Sequence, residues 1–178
     1  MFNTIYYKIL NKDLTHLGFQ YNLGLNIDTE KFNSSGSSES GGLYFTNKEN
    51  IIKYFGFSEY IAEITIPNDA QIYKNPKGDN WRTNKLIINK YYPIKEWDEW
   101  NEENCLLSVK INSNILLHIP EKFKTKELCL IAVEYNGIVL EYVSKELKTK
   151  ELCESAVKHT GYALKFVPKE LKTKELCE

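Results

Sequence analysis

The feature that most constrains this chain is a ruler: Cys105, Cys129, Cys153 and Cys177 stand at intervals of 24 residues. Structural zinc sites bring their thiolates in close pairs such as C-x2-C, which fix the turn around the metal. No close pair occurs here, so the even spacing marks an internal repeat rather than a metal knuckle or a disulfide frame. The flanking residues agree. Lys124-Thr125-Lys126-Glu127-Leu128-Cys129 recurs as Lys148-Thr149-Lys150-Glu151-Leu152-Cys153 and again as Lys172-Thr173-Lys174-Glu175-Leu176-Cys177. Ala132-Val133 and Ala156-Val157, Gly137 and Gly161, Leu140 and Leu164, and Val143 and Val167 come next in register. An eroded first copy reads Cys105, Ser108-Val109, Leu116, Ile119-Pro120 and Phe123. The cysteines are therefore expected to be small buried apolar residues, with no metal.

Each unit reads as a helix pair. Thr125 and Thr149 suit the N-cap, where a hydroxyl accepts from an orphan backbone N–H, and the glutamate two positions later favours the positive helix end. Leu128, Cys129, Ala132 and Val133 then fall on one helical face. Gly137 and Gly161 stand where a left-handed residue would end the helix, and a shorter apolar helix (Ile138 to Val143, Tyr162 to Val167) comes after it. One pair has too little core to fold alone, so stacking is expected to build a solenoid. The expected fold class is α+β: a small β-rich domain over residues 1–95, then an α-helical solenoid over 96–178 of about three full units and a partial one. The last copy is cut short at Glu178, which suggests a longer or degenerated array. Trp97-Asp98-Glu99-Trp100-Asn101-Glu102-Glu103 is expected to be the polar capping helix of that array, with one tryptophan packed inward.

The unit Glu-Leu-Cys-x2-Ala-Val-x3-Gly-x-Ala-Leu-x2-Val-Pro-x-Glu-Leu-x-Thr resembles short helical repeats found in tandem in uncharacterised proteins of giant DNA viruses of the mimivirus group. More loosely it is similar to a bacterial repeat of unknown function. Composition is in keeping with such an origin: 22 of the 23 basic residues are lysine, Arg82 is the sole arginine, and Asn and Ile, which also have A/T-rich codons, are abundant. The resemblance implies a viral protein working in the host cytoplasm.

The N-terminal half reads as strand and loop, with β-rich runs at Thr4–Leu10, Gly42–Thr46, Tyr60–Pro67, Gln71–Lys74 and Lys85–Tyr92. A short helix is expected over Asn47–Phe57, a polar mobile loop over Asn33–Gly42, and a hairpin tip at Gly78-Asp79-Asn80-Trp81-Arg82. Thr15-His16-Leu17-Gly18, then Gly42-Leu43-Tyr44-Phe45-Thr46 with Tyr54 beyond it, then Tyr60 to Tyr73, resemble in order the motifs of ADP-ribosyltransferases of the poly-ADP-ribose polymerase type. That resemblance implies NAD as cofactor, His16 on the nicotinamide ribose, and Tyr44 and Tyr54 in one cleft. The strand that carries the family's catalytic glutamate aligns with Asn84-Lys85-Leu86-Ile87, where lysine has the wrong sign, so Glu63 would have to substitute.

Other chemistry is excluded by what is missing from the pattern. Net charge is −1 and neither half carries a basic cluster, so neither nucleic acid nor an anionic membrane is an expected partner. No apolar run approaches the roughly 20 residues of a membrane span, and Met1 to Lys8 is no secretory signal, so a cytoplasmic location is expected. His16, His118 and His159 are scattered, and no phosphate loop, dinucleotide fingerprint or nucleophile elbow occurs. The leading expectation is a non-catalytic protein–protein interaction module without a cofactor, with Lys126, Glu134, Lys150, Glu154, Lys158 and Lys165 as exposed contacts. The alternatives are an NAD-dependent ADP-ribosyltransferase-like enzyme or its inactive relative, and a structural, virion-associated protein.

Overall fold

Tyr6-Tyr7-Lys8-Ile9-Leu10 is β1, the central strand of the largest element in the molecule. The computed structural model describes residues 4–33, 41–76 and 78–173. The chain divides into two compact units, Met1–Trp97 and Asp98–Glu178. In the first, β1 (Tyr6–Leu10), β4 (Gly24–Ile27), β5 (Leu43–Thr46), β6 (Tyr60–Thr65), β7 (Ile72–Lys74), β8 (Asn80–Thr83) and β9 (Lys85–Pro93) form a seven-stranded sheet in the order β4-β9-β6-β1-β5-β8-β7. Every pairing is antiparallel. β2 (Thr15–His16) and β3 (Phe19–Gln20) make a separate hairpin.

Two-residue periodicity sorts the side chains of this sheet. Leu10, Leu43, Phe45, Ala62, Ile64, Leu86 and Ile88 form a buried cluster with Tyr21. Ile9 and its cross-strand partner Ile61 project from the opposite face, the side on which Tyr7 pairs with Glu63 and with Thr46. A 3-10 helix, Ile51–Phe57, packs on β1 and buries Ile51, Ile52 and Phe55, and Phe55 meets Trp97 edge-on at 4.9 Å. β7 and β8 do pair as an antiparallel hairpin, but Trp81 lies past its turn, within β8, opposite Lys74 and stacked 5.9 Å from Phe45. The expected loop over 33–42 falls mostly on residues outside those described.

The expected helical-repeat solenoid is not what forms. The dominant element is the antiparallel sheet, and among the described residues the second unit holds three short α-helices: α1 (Glu102–Ile111), α2 (Lys126–Tyr135) and α3 (Lys150–His159). Each leads into 3-10 helices of three to six residues rather than a second α-helix (Ser113–Leu117 and Glu121–Phe123, Gly137–Tyr142 and Lys145–Leu147, Gly161–Phe166 and Lys169–Leu171). No extended array of paired α-helices is built from them. The physical reason lies in the helix ends. Asn112, Asn136 and Thr160 leave the helix in extended conformation, with φ of −153°, −155° and −147°. Asn112 and Asn136 then accept from the N–H two residues on, starting a new tight turn. Runs this short favour 3-10 geometry.

Gly137 and Gly161 are likewise not the left-handed helix stops expected of them. Gly137 is buried, and a Cβ there would stand 2.1 Å from the Ala156 carbonyl oxygen, so glycine is needed for close approach of α3. The stretch from Trp97 to Asn101 is not a capping helix; both tryptophans are buried, and α1 begins at Glu102 with Asn101 as its cap. Thr125 and Thr149 cap α2 and α3, accepting from Leu128 and Leu152 N–H at 3.1 and 3.3 Å.

Candidate functional site

Lys8 is the residue whose position most needs a reason. It shares the face of Tyr6 and Leu10 on the central strand, and is 2% exposed. Its ammonium donates to the Tyr44 carbonyl at 2.8 Å, lies 3.0 Å from His16 Nδ1, and sits 4.4 Å from the centre of the Tyr21 ring. All three acceptors are neutral. Burial pushes the amine down to about 7. It also pushes His16 down to about 3, helped by the nearby Lys8 charge, so the imidazole stays an uncharged partner. Burial, with Asp28 adding to it, raises Tyr21 and keeps its phenol neutral.

The hairpin that delivers His16 is strained. Its turn, Leu17-Gly18, has φ of 51° and 81°, the two positive values a type I′ turn demands. Leucine is a poor choice there, because a Cβ in the left-handed region costs roughly 1–2 kcal/mol, and Leu17 is 76% exposed. Leu14, just before β2, also has positive φ, 62°. Strain of this kind tends to gather at functional sites. Beside the hairpin lies a cavity of about 120 Å³ lined by Lys8, His16, Tyr44, Tyr54 and Asn80 among apolar neighbours. Asn80 donates to the Tyr54 hydroxyl at 3.1 Å. His16, Leu17 and Tyr44 also line a larger neighbouring cleft of about 420 Å³, with Asp28 on its wall.

In the second unit the 24-residue register separates a buried frame from an exposed exterior. Cys105, Cys129 and Cys153 are free, buried thiols, held above their ordinary range by burial first of all. Cys177 lies outside the described residues. The Lys124 and Lys148 amines each donate at 3.1 Å to the carbonyl 18 residues on, Tyr142 and Phe166, tying the start of each copy to its own far end. Lys126, Glu134, Lys150, Glu154, Lys158 and Lys165 are all exposed. Lys150 pairs with Glu154 at 3.5 Å, and the Lys165 amine lies over the Tyr162 and Phe166 rings. Tyr135 and Tyr162 are 57% and 62% exposed.

A family model described as a domain of unknown function (DUF4116) matches residues 101–148, that is, α1 through the stretch after α2. A putative ankyrin repeat protein of Acanthamoeba polyphaga mimivirus is 32% identical over 123 residues, covering 65% of this chain and 37% of that protein. A second putative ankyrin repeat protein of the same virus is 33% identical over 105 residues, covering 56% and 52%. An uncharacterised protein of that virus is 32% identical over 115 residues, covering 62% of this chain and 83% of the relative. The chain belongs to this last protein's family. It spans only about a third to a half of the length of the two ankyrin repeat relatives. No solved structure matches.

Neither the matching family model nor any of these mimivirus relatives is named as an ADP-ribosyltransferase, and the site geometry does not support that resemblance. His16, Tyr44 and Tyr54 do line one cavity, but Glu63 does not join them. Its carboxylate is engaged by Lys90 at 3.0 Å and by the Tyr92 hydroxyl at 3.1 Å. Lys85 is likewise turned to Asp69. The charged group at the cavity is the Lys8 amine, and a cation beside a developing oxocarbenium raises its energy. Lys8 is also the residue that motif reading passes over. The signal for it was present: in a strand, a lysine two residues from both Tyr6 and Leu10 must share their face. Among the described residues no group of histidines, cysteines and carboxylates is placed to hold a metal, and no helix is long and apolar enough to cross a membrane.

Proposed function

We propose that the chain works as a non-catalytic interaction module that presents its second unit to a protein partner. The observation that carries this reading is one buried frame bearing different exteriors. Leu128, Cys129 and Ala132 recur inside as Leu152, Cys153 and Ala156. Outside, at the same register, Glu134 is replaced by Lys158, Ile138 by Tyr162 and Glu141 by Lys165. A frame that holds its backbone constant while its outward side chains change sign and size is suited to recognising a particular surface. Exposed Tyr135 and Tyr162 are the residue type that anchors interfaces, and the surrounding lysines and glutamates supply a polar rim. Two relatives are named putative ankyrin repeat proteins, and ankyrin repeats belong to a class that binds through surfaces built from successive units. Lys126, Lys150, Lys158 and Lys165 with Glu134 and Glu154 are the proposed rim contacts.

The test is capture from an Acanthamoeba lysate on the immobilised full chain, beside a Tyr135→Ser/Ile138→Ser/Tyr162→Ser variant with an unchanged circular dichroism spectrum. The reading expects a protein held by the wild type, confirmed as a binary complex after purification, and lost by at least tenfold in the variant. Equal capture by both chains, or no binary complex, overturns it.

A further inference from the structure

The first unit contains a feature that an interaction surface on the second does not use. Lys8 is buried on the central strand, and among the described residues no carboxylate pairs with it: its contacts are the His16 imidazole, the Tyr44 carbonyl and the Tyr21 ring. These orient an ammonium through three acceptors but return no negative charge. An ammonium removed from water without a counter-charge is among the costliest groups a fold can bury. A methionine or leucine at this position would pack between Tyr6 and Leu10 without that cost. The cavity beside Lys8 is of a size that matters, since an apolar cavity of about 150 Å³ takes up benzene. At about 120 Å³ it accepts a small ring or a short branched chain. Its wall offers Ile9, Leu17, Phe45 and Ile51 to such a body, and Tyr54 and Asn80 as polar groups. His16, which would yield its place on the amine to an incoming acceptor, is held by a two-residue strand and a strained turn.

We propose that this cavity is a binding site for a small monocarboxylate with a compact apolar body, whose carboxylate supplies the counter-charge that Lys8 lacks. The groups around the amine are His16 from β2, Tyr21 after β3 and the Tyr44 carbonyl from β5, with Tyr54 of the 3-10 helix on the wall of the same cavity and Asp28 acting on Tyr21 from beyond it. Burial holds His16 well below its ordinary range and Tyr21 well above its own, so neither imidazole nor phenol changes charge at pH 7 to 9 and the group that does is Lys8. Burial alone sets the free amine near 7, and a bound carboxylate draws its proton back. Binding is therefore linked to proton uptake.

The experiment is isothermal titration of the full chain with benzoate and with benzamide at pH 6.5, 8 and 9, in buffers of different ionisation enthalpy. Benzoate is expected to bind at least tenfold tighter than benzamide at pH 6.5. Its affinity should fall by up to about tenfold per pH unit above 7, with close to one proton taken up per ligand at pH 8. Lys8→Met should abolish the preference for the acid over the amide. Equal binding of both probes, no binding of benzoate, or benzoate binding without proton uptake each overturns the proposal. The proton count is read on the wild type, so the test stands even if Lys8→Met fails to fold.

Discussion

At pH 6 the ammonium of Lys8 has to be held inside the protein by neutral acceptors alone, and this gives stability a pH dependence with a definite sign. Its folded-state value, about 7, lies below the ordinary 10.5. Between those values the unfolded chain binds more protons than the folded one, so stability rises with pH across that window. Below pH 7 the cost of burying the charge is present in full, and above 10.5 it is gone. Urea unfolding at pH 7, 8 and 9 should show wild-type stability climbing by up to about 1.4 kcal/mol per pH unit relative to Lys8→Met. Parallel curves for the two chains would assign the titration to another group. His16 acts at the other end: its value, about 3, lies below the usual 6.5, so its contribution is lost as pH falls between those two. The site was half legible in the sequence. His16, Tyr44 and Tyr54 stand out as a motif and do share a cavity. Glu63 belongs to that site only by the demands of a borrowed chemistry, whereas cross-strand pairing gives it to Lys90, with the Tyr92 hydroxyl beside it.

At the scale of the element, the same residue type at the same repeat position serves two different purposes. Gly137 and Gly161 each open a 3-10 helix. A Cβ on Gly137 would meet Ala156 and Thr160, while at Gly161 nothing among the described residues lies within 4 Å. Neither glycine has positive φ, so alanine fits both backbones and only the space differs. Gly137→Ala should lower stability by about 1–3 kcal/mol through overpacking. Gly161→Ala should raise it by about 0.4–1 kcal/mol, because alanine restricts the unfolded chain. Thermal unfolding of the two variants checks the pair, and a loss at Gly161 equal to that at Gly137 contradicts this account. The helix starts were readable because capping is local chemistry: Thr125 and Thr149 reach only three residues ahead. The ends were not readable, because a glycine that stops a helix and a glycine that admits a neighbour look identical in one chain. Only the packing of α2 against α3 separates them.

At the scale of the whole molecule, what the sequence could reveal was decided by how far apart the partners in each interaction lie. A 24-residue repeat is visible because it recurs, and the strands are visible because they alternate. The order β4-β9-β6-β1-β5-β8-β7 joins segments up to about sixty residues apart, and nothing in one strand names its neighbour. The strong periodicity over 97–178 is therefore far more visible in the sequence than a sheet assembled from short, unalike strands. The division into two units has a functional consequence that one crossed experiment reads. The proposed partner surface rests on Tyr135, Ile138 and Tyr162, and the proposed carboxylate site on Lys8 and His16. Serine at the first three should remove partner capture and leave benzoate affinity within about twofold, an energy difference under about 0.4 kcal/mol. Lys8→Met should do the reverse, losing benzoate while holding the partner. If either substitution removes both, the activities are coupled and cannot be assigned to separate surfaces. If serine at Tyr135, Ile138 and Tyr162 spares the partner while Lys8→Met releases it, the first unit is the recognition element and the repeats serve only as its support.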